Sequence, residues 1–399
     1  MTRKSICIIA GSFPARSETF VREHVLGLAL RGWQVHVIAG EIGVGINDNE
    51  LCEIDAIGVK RHYIDFFSGT RFARLCQQFF QCVKNPTLLK YYKGKDVWSR
   101  AEMLWSAQVA KLICHLNPVV LHIHYGAYAG PLSYFKLPKK VITTWHGFDA
   151  NIKPKRLGFN MYHTFFRKEG VHTVGSDFMV KRLQILGCSI DNISHIPMGV
   201  DLASFPFIDR RSQNSDILQI ISVGRLSDEK GHQDLIQAIA LLDLWEVPVN
   251  LRIIGDGPLK SGLLEKIEEA NLTSRVSLLG AQTNEVVRSE FAKSDLFVLA
   301  CRIGKDGAEE TQGVAIIEAQ ATGLPIVVTD VGGVSESLQP GVTGELIKSR
   351  DVEGIANAIQ VYAIDKNKRI NHGQAGSRFV RENFSIENML DKLEKIYLG

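Results

Sequence analysis

The sequence passes twice through one pattern, in which short apolar runs alternate with helical segments. In the first pass, four apolar runs predict strands, namely Ser5–Ala10, Gln34–Ala39, Val119–His124 and Val141–Trp145. Nearly every residue of these runs is apolar, as in parallel strands that are buried on both faces. The segment Thr19–Arg31 lies between the first two runs and predicts a helix. Strands that alternate with helices indicate a parallel sheet with crossover helices.

The pattern restarts after residue 215. The second set of predicted strands is Ile217–Val223, Val249–Ile254, Val276–Leu279, Leu296–Leu299 and Ile326–Thr329. The helical segments between them are Gln233–Leu242, Lys260–Ala270, Asn284–Ala292 and Gly313–Thr322. We therefore predict an α/β protein of two Rossmann-like domains. Two facing domains of this kind would share one cleft outside the carboxyl ends of their strands.

The boundary between the two sets falls where Pro197, Pro206 and a polar run interrupt the pattern. We place the first domain at residues 1–200 and the second at 201–379. The length of 399 residues agrees with two domains, because a domain typically takes about 100–200 residues. The final helical stretch, Ile386–Tyr397, has no strand after it. We expect a C-terminal helix at about 380–399 to pack back on the first domain.

The composition excludes several classes of protein. Lys and Arg number 46 against 43 Asp and Glu, and this net charge of +3 is too small to indicate a nucleic-acid binder. The seven cysteines are scattered without a C-x-x-C pair, which disfavours a disulfide framework or a zinc ribbon. The N-terminal apolar run, Ile6–Ala10, is too short for a signal peptide. No run approaches the roughly 20 apolar residues of a membrane span, so we expect a cytoplasmic protein.

Residues 60–111 differ from the rest of the chain in charge and aromatic content. They hold ten Lys or Arg, three Asp or Glu, and ten aromatic residues, among them Phe66, Phe67, Phe79, Phe80, Tyr91, Tyr92, Trp98 and Trp105. Basic charge interleaved with aromatic rings suits anionic lipid headgroups. The segment would then hold the protein peripherally on the inner face of the membrane. A solvated helical pair with a buried aromatic stripe explains the segment equally well, and nucleic acid is disfavoured.

A glycine-flanked loop, Gly224–Gly231, directly follows a predicted strand and carries Arg225 and Lys230. Glycine lets the chain turn sharply at the end of the strand. Two cations near one point suit a diphosphate, because arginine forms forked hydrogen bonds and lysine supplies a point charge. Taken alone, the pattern is also that of a charged surface turn with internal ion pairs.

Two glutamates mark the next candidate site. Glu310 lies on a loop, and Glu318 lies inside the predicted helix that follows it. Gly313 at the helix start would let backbone amides approach an anion, which the helix dipole also favours. A carboxylate accepts paired hydrogen bonds from adjacent sugar hydroxyls. The alternative is that these are two unrelated surface glutamates, although Glu318 lies among apolar residues, where a buried acid needs a partner.

In the first domain, His146 follows a predicted strand and stands beside a glycine, where it could meet a ligand hydroxyl or a departing phosphate. A structural histidine paired with Asp149 is the alternative. His122 and His124 have the i, i+2 spacing of a metal pair, but no third ligand at a suitable spacing supports a metal site, and we interpret them as structural.

The loop after the first strand begins at Gly11, and its amides could approach a phosphate. The loop is not G-x-G-x-x-G, which weakens the case for a dinucleotide site. The sequence contains no D-x-D, H-E-x-x-H or G-x-S-x-G motif. Metal-dependent transfer and acyl-transfer hydrolysis therefore lack their usual motifs.

Together these motifs resemble those of the retaining GT-B glycosyltransferases of family 4. The similarity rests on G-R-x4-K-G (224–231), E-x7-E (310–318), G-D-G-P (255–258), H-G-x-D (146–149), P-M-G-V-D (197–201) and G-L-P-I-V-V-T-D-V-G-G-V-S-E (323–336). The motifs span nearly the whole chain in the family's order. The start, F-P-A-R-S-E-T-F-V (13–21), is similar to bacterial exopolysaccharide transferases of the colanic-acid and amylovoran type.

The resemblance implies roles for residues of this sequence. It implies donor binding by Gly11, Arg225, Lys230, Gly313, Val314 and Glu318. It implies His146 and Glu310 as catalytic residues, and Ser17, Glu18 and Asp149 on the acceptor side. It implies no metal and no cofactor, with a UDP-sugar favoured over a GDP-sugar as donor. The T-Q-G after Glu310 departs from many family members and leaves the identity of the sugar open.

The function implied by the resemblance is that of a retaining hexosyltransferase. It would move a sugar from a nucleoside-diphosphate sugar to a hydroxyl of a lipid-linked saccharide, in exopolysaccharide or cell-surface glycan biosynthesis. Two alternatives remain open at this point. A nucleotide-sugar epimerase on the same architecture would need an acid–base pair that the sequence does not offer clearly. A nucleotide-sugar-binding scaffold without catalytic activity is the other.

Overall fold

The structure is a computed structural model of the chain, and it describes residues 4–16, 18–65, 95–138, 140–211 and 215–399. The described residues form two compact units. The first unit comprises the residues up to Gly175 together with Met179–Ile196 and Leu390–Gly399, and the second comprises Ser176–Phe178 and Pro197–Met389. Each unit has its own parallel sheet with helices, which confirms the predicted α/β class and the two Rossmann-like domains.

The first unit is built on a seven-stranded sheet with the order β3-β2-β1-β4-β5-β6-β7, in which all neighbours are parallel. Its strands are β1 (Ser5–Ile9), β2 (Gln34–Ala39), β3 (Lys60–Tyr63), β4 (Val120–His124), β5 (Lys140–Trp145), β6 (Val171–Val174) and β7 (Ile193–His195). Its described α-helices are α1 (Thr19–Leu30), α2 (Asp48–Ala56), α3 (Arg100–Leu116), α4 (Gly126–Leu132), α5 (Lys153–Leu157), α6 (His163–Phe166) and α7 (Asp177–Ile185).

The second unit is built on a six-stranded sheet with the order β10-β9-β8-β11-β12-β13, again parallel throughout. Its strands are β8 (Leu218–Val223), β9 (Val249–Ile254), β10 (Val276–Gly280), β11 (Leu296–Leu299), β12 (Ile326–Asp330) and β13 (Gly344–Lys348). The helices are α8 (His232–Leu244), α9 (Lys260–Glu269), α10 (Asn284–Ala292), α11 (Val314–Ala321), α12 (Val352–Ile364) and α13 (Lys366–Asn383). The last helix, α14 (Ile386–Leu398), belongs to the first unit from Leu390 onwards.

The central strands form where β-branched residues follow one another. In the second unit, Ile220, Ile253 and Val298 are completely buried in one hydrophobic core cluster, and the residues that follow them, Ile221, Ile254 and Leu299, are buried in a second one. Burying such a side chain contributes about 1.5–3 kcal/mol, so a run of them fixes a strand in the middle of the sheet. The edge strand β3, with the sequence KRHY, is polar and only partly buried, which explains why apolar runs alone did not predict it.

In each sheet the strand order reverses between two central strands. Candidate residues lie at the carboxyl ends of these strands. In the first sheet the reversal lies between β1 and β4, and in the second it lies between β8 and β11. Gly11 follows β1, and Tyr125 follows β4; Gly224 follows β8, and the loop that carries Glu310 follows β11. Open parallel sheets bind ligands at this switch point.

Two rings of the basic, aromatic segment 60–111 lie in the core of the first unit. Trp98 is 3% exposed and Trp105 is 1% exposed, so these two side chains cannot insert into a lipid surface. The other six named aromatics fall within 66–94, outside the described residues. No helix in the described ranges has both the length and the apolar character that crossing a membrane requires.

Candidate functional site

In the second unit, the loop after β8 packs backbone to backbone on the loop after β9. The Leu226 amide donates to the Asp256 carbonyl at 3.0 Å, and the Leu259 amide donates back to the Leu226 carbonyl at 3.0 Å. Gly255 has φ +150°, and a Cβ there would lie 1.9 Å from the Gly224 carbonyl oxygen. Only glycine permits this approach, so the G-R-x4-K-G and G-D-G-P motifs form one rigid platform.

Lys230 and Glu310 form a hydrogen-bonded ion pair on this platform. The Lys230 side chain is 21% exposed and the Glu310 side chain 12%. Burial opposes the charge on Lys230, but the attraction of Glu310 outweighs it and raises the lysine pKa. Burial likewise opposes the charge on Glu310, and the attraction of Lys230 lowers the pKa of that carboxyl. Both groups are therefore ionised at neutral pH.

The backbone around Glu310 holds its carboxylate in place from several directions. Its Oε1 accepts hydrogen bonds from the amides of Thr311, at 3.0 Å, and of Gly313, at 3.1 Å. Its carbonyl accepts from the Gly333 amide at 3.0 Å. A Cβ at Gly332 would lie 1.9 Å from that carbonyl oxygen, which explains the paired glycines after β12. Glu310 is thus a fixed carboxylate rather than a mobile surface side chain.

The other predicted donor residues of the second unit flank this pair. Arg225 is exposed on the loop that carries Lys230. Gly313, with φ +79°, precedes the first turn of α11, where Val314 is the first residue. Glu318 is half-buried, four positions further along α11. Lys230, Glu310 and Gly313 are joined by direct contacts, whereas Arg225 and Glu318 lie on the elements on either side.

Arg302 is a structurally important residue to which the sequence assigned no role. It is 8% exposed, pairs with the carboxylates of Asp228 and Asp234, and also donates from Nε to the Asp228 carbonyl at 3.1 Å. The Lys305 amide donates to the Asp228 carboxylate at 2.8 Å. The loop at 302–309 thus ties the Glu310 segment to the Lys230 loop. Its partners lie more than 60 positions away, so no local spacing indicates them.

Gln312, the middle residue of the T-Q-G segment, is 4% exposed, and both the oxygen and the nitrogen of its side-chain amide are hydrogen-bonded. Its Oε1 accepts from the Met198 amide at 2.8 Å, and its Nε2 donates to the Met198 carbonyl at 3.0 Å. The side chain therefore acts as a clamp between the P-M-G-V-D segment and the Glu310 loop. Only a side chain with a donor and an acceptor side by side satisfies both bonds.

In the first unit, His146 directly follows β5 and packs against two aromatic rings. Its ring centroid lies 4.4 Å from that of Phe20 and 4.6 Å from that of Tyr125. Burial lowers the pKa of His146 to about 3, so the imidazole is neutral at physiological pH. Tyr125 has φ +73°, uncommon for a residue with a side chain. Such backbone strain is frequent at functional sites.

Asp149 is completely buried, and its carboxylate binds the backbone rather than the imidazole of His146. Oδ2 accepts from the Gly126 amide at 2.6 Å, while Oδ1 accepts from the amides of Gly147 and His146 at 3.0 and 3.2 Å. Asp149 therefore joins the H-G-x-D loop to the start of α4 through backbone hydrogen bonds, whereas the alternative weighed from the sequence was a side-chain pair with His146. A direct contact of Asp149 with an acceptor remains a prediction.

Two further predicted residues, Gly11 and Glu18, approach tyrosines that follow β4. A Cβ at Gly11 would lie 2.4 Å from the hydroxyl oxygen of Tyr128, so the loop after β1 approaches this ring closely. Glu18 is bonded to the Tyr125 hydroxyl, and burial raises the pKa of its carboxyl although this bond lowers it. The Oε2 atom of Glu18 is buried without a hydrogen-bond partner among the described residues. Ser17, also predicted on the acceptor side, lies outside the described residues.

The ring of His146 bonds to a histidine that we interpreted as structural. Its Nε2 lies 2.9 Å from Nδ1 of His124, and Nε2 of His124 lies 3.0 Å from Nδ1 of His24. His24 is on α1, where a lone histidine on an apolar helix face carries no spacing signal in the sequence. The ring nitrogens of His24, His122 and His124 lie within 4.8 Å of one another, so a third potential metal ligand does exist beside the i, i+2 pair.

The geometry supplies two kinds of chemistry. The second unit offers a buried cation, a fixed carboxylate and the backbone amides at the start of α11, which together suit a sugar linked to a phosphate. The first unit offers a neutral imidazole beside aromatic rings and a carboxyl with one oxygen that has no hydrogen-bond partner among the described residues, and both groups suit hydroxyl groups.

Comparison with known proteins gives the same division of the chain. Residues 17–204 match the family model described as Glycosyltransferase Family 4. Residues 206–379 match the family model described as Glycosyl transferases group 1. The two matches meet near the division between the two units and together cover most of the sequence.

Relatives and solved structures agree with this assignment. WcaL of Salmonella typhimurium, named as a colanic acid biosynthesis glycosyltransferase, is 26% identical over 92% of each chain. The amylovoran biosynthesis glycosyltransferase AmsK of Erwinia amylovora is 28% identical over 86% of this chain and 87% of its own. Sucrose-phosphate synthase from Thermosynechococcus elongatus has the same fold, with a TM-score of 0.76, 18% identity, and coverage of 99% of this chain and 98% of its own.

A further solved structure, Anabaena Alr3699/HepE in complex with UDP-glucose, has a TM-score of 0.73 at 16% identity and covers 98% of each chain. At these identities the structural comparisons establish the fold alone. The named relatives confirm the narrower resemblance to the colanic-acid and amylovoran group. The chain belongs to the family 4 glycosyltransferases with the GT-B fold.

Proposed function

We propose that this glycosyltransferase moves a hexose, with retention of its anomeric configuration, from a nucleoside-diphosphate sugar to a hydroxyl of a lipid-linked saccharide. The observation that carries the proposal is the pairing of Lys230 with Glu310 at the carboxyl ends of β8 and β11. A cation and a sugar-binding carboxylate at one point match the two parts of a nucleotide sugar, its diphosphate and its hexose.

In the proposed reaction, the bond between the anomeric carbon and the diphosphate oxygen breaks, and negative charge grows on the diphosphate. Lys230, Arg225 and the Val314 amide would stabilise that charge as it develops, whereas the Gly313 amide already donates to Glu310 and would act by holding that carboxylate in place. Because the charge is larger in the transition state than in the bound donor, this interaction accelerates the reaction rather than merely binding the substrate.

Retention would follow if the acceptor oxygen attacks the same face of the sugar from which the diphosphate departs. The acceptor O–H bond breaks as the new C–O bond forms, and its proton passes to the departing phosphate oxygen. This step needs no separate carboxylate base. Glu310 would hold hydroxyls of the transferred sugar, Glu318 would bind the ribose, and neither has to accept the proton.

We assign the acceptor side of the reaction to the first unit. Oε2 of Glu18 has no hydrogen-bond partner among the described residues, so a sugar hydroxyl could supply one, and His146 would lie at the same acceptor. WcaL and AmsK are named for the biosynthesis of colanic acid and amylovoran, which supports an exopolysaccharide intermediate as acceptor. The UDP-glucose in the HepE structure supports a UDP-sugar donor. A lipid-linked acceptor would bring the protein to the inner face of the membrane.

The proposal is tested by incubating the full-length protein with labelled UDP- and GDP-sugars and a lipid-linked saccharide extract. A new glycoside is expected, and the coupling constant of its anomeric proton should report the configuration of the donor. An inverted product would contradict the retaining step. An epimerised donor, or binding of the donor without turnover, would instead support an epimerase or a scaffold and overturn the proposed function.

A further inference from the structure

Four histidines and one tyrosine form a continuous hydrogen-bonded chain inside the first unit. From Nε2 of His146 the chain runs to Nδ1 of His124 at 2.9 Å. It continues from Nε2 of His124 to Nδ1 of His24 at 3.0 Å, and from Nε2 of His24 to the hydroxyl of Tyr397 at 2.9 Å. That hydroxyl also lies 2.6 Å from Nδ1 of His122. The candidate site is thus connected to the C-terminal helix α14.

Beyond His122 the chain ends on two threonine hydroxyls. Nε2 of His122 lies 2.7 Å from Oγ1 of Thr144, which lies 2.5 Å from Oγ1 of Thr173. His24, His122, His124, Thr144, Thr173 and Tyr397 are each at most 2% exposed. Bulk water therefore cannot replace any of these partners, and each hydrogen bond depends on the next.

The buried imidazoles and the tyrosine are neutral, so successive hydrogen bonds along the chain must all run in the same direction. Burial lowers the pKa of His24 to about 3, and burial together with the neighbouring imidazoles holds the pKa values of His122 and His124 well below their usual range. Burial raises the pKa of Tyr397, which keeps its proton. A neutral imidazole has one donor and one acceptor nitrogen, so each ring fixes the role of its neighbour.

Two proton arrangements satisfy every link of the chain and also place the hydroxyl proton of Tyr397 within it. In the first, Tyr397 donates to His24, whose Nδ1–H donates to His124, whose Nδ1–H donates to His146. The proton of His146 then sits on Nδ1. In the second, Tyr397 donates to His122 instead, every bond reverses, and the proton of His146 sits on Nε2. The direction of one hydroxyl therefore decides a tautomer three hydrogen bonds away.

We propose that Tyr397, through His24 and His124, fixes the tautomer of His146 and so decides whether Nδ1 of His146 donates or accepts a hydrogen bond. These three residues are positioning residues, and they need not touch any substrate. The consequence for sugar transfer rests on the proposed function, because it requires His146 to meet a substrate hydroxyl. The tautomer itself does not depend on that role.

A metal ion bound by His24, His122 and His124 is the competing explanation of the cluster. Their nitrogens lie close enough to share an ion, but both ring nitrogens of His24 and of His122 are already engaged by hydrogen bonds of 2.6–3.0 Å. A zinc ion takes nitrogen ligands at about 2.0–2.1 Å and would have to break several of these bonds. The observed distances therefore favour the hydrogen-bonded chain.

The test is nuclear magnetic resonance of the full chain labelled with ¹⁵N in its histidines, because the shifts of the two ring nitrogens report the tautomer directly. The signals of His146 are identified by their loss in His146→Gln. We expect one dominant tautomer in the wild type and an altered tautomer ratio in Tyr397→Phe. The matched control is Tyr362→Phe, which removes a buried hydroxyl bonded to His372 at 2.8 Å in the second unit and should leave His146 unchanged.

Thr144→Val is a second variant in case Tyr397→Phe does not fold. It keeps the side-chain shape and removes a hydroxyl at the far end of the hydrogen-bonded chain. We expect it also to shift the tautomer ratio of His146. If His146 transfers a proton or orients a hydroxyl, Tyr397→Phe should lower kcat by at least about tenfold while KM changes little. If the protein has no transferase activity, only this kinetic result is lost, and the tautomer measurement still tests the proposal.

Two outcomes would overturn the proposal. One is a tautomer ratio at His146 that is the same in the wild type, Tyr397→Phe and Thr144→Val. The other is one equivalent of tightly bound zinc, detected by elemental analysis of the purified protein and lost on substitution of His24.

Discussion

The ammonium of Lys230 donates a hydrogen bond to the carboxylate of Glu310, although the two residues are 80 positions apart in the chain. Lys230 ends a short 3-10 helix after β8, and Glu310 lies on the loop after β11. These strands are neighbours in the second sheet. The bond therefore depends on the strand order and joins the two loops that we assign to the diphosphate and to the sugar.

The pair should stabilise the second unit in a way that a double substitution can separate from catalysis. Lys230→Ala leaves the Glu310 carboxylate buried without its cation, and we expect the free energy of unfolding to fall by about 3 kcal/mol. Lys230→Ala/Glu310→Gln removes the unpaired charge and should recover most of that loss. Urea unfolding measures both. A double variant no more stable than Lys230→Ala would contradict the pairing.

The close approach of Gly11 to Tyr128 predicts a destabilising substitution with a specific rescue. In Gly11→Ala the new methyl group would lie 2.4 Å from the tyrosine oxygen but 3.3 Å from Cζ. The ring packs on Trp105 at 5.3 Å between centroids and cannot move freely. We expect a loss of about 1–3 kcal/mol, most of it regained in Gly11→Ala/Tyr128→Phe. Equal unfolding free energies for Gly11→Ala and the wild type would contradict this geometry.

Asp149 should make stability depend on pH in the direction opposite to that of an ordinary paired carboxylate. Burial raises the pKa of this carboxyl from 3.8 to about 6, although its backbone hydrogen bonds lower it. Between these values the folded protein retains a proton that the unfolded chain has released. The contribution of Asp149 to the free energy of unfolding therefore falls as the pH rises through this window, by about 3 kcal/mol at most.

Asp149→Asn lacks this titration, so the stability of the wild type minus that of the variant should decrease between pH 4 and pH 6. Urea unfolding of both proteins across this range provides the measurement, and Asp330→Asn, at an exposed position, serves as the control. A difference that stays constant, or that grows with pH, would be inconsistent with a buried carboxyl of raised pKa.

Gln312 should not tolerate glutamate. In Gln312→Glu the second carboxylate oxygen would face the Met198 carbonyl, to which Nε2 now donates at 3.0 Å. Losing that donor within the buried clamp should cost about 1–3 kcal/mol. The exposed Gln339→Glu makes the same chemical change without a buried partner and should have little effect. Thermal unfolding of the two variants distinguishes them, and equal losses would argue against the clamp.

Much of the fold could be predicted because its central strands are continuous apolar runs. The strands Val249–Ile254 and Leu296–Leu299 and the helix Asn284–Ala292 were predicted at their observed bounds. Strands at or near a sheet edge were missed where they are short, polar or half-exposed, as in β7, with the sequence ISH. An alternating or mixed pattern over three or four residues does not distinguish a strand from a loop.

The candidate site was predictable only in part. Motifs marked Lys230, Glu310 and His146, since each lies in the segment that follows a recognisable strand. Their partners were not predictable, because His24 and Tyr397 meet across 373 positions. Likewise, the alternative for the Gly224–Gly231 loop was that its charges pair within the loop, yet Asp228 pairs with Arg302, 74 positions away. Such contacts depend on the strand order, which local patterns do not specify.

The measurement that tests the central claim most directly compares donor affinity and transfer in the wild type with those in Lys230→Ala/Glu310→Gln. Lys293→Ala, which removes an exposed lysine from an ion pair with Glu290, is the control for lost charge. We predict a Kd for the nucleotide sugar at least about tenfold higher in the double variant, and turnover lower by about 10²–10³-fold, with the control unchanged. A folded double variant that binds and transfers the sugar as well as the wild type would contradict the account.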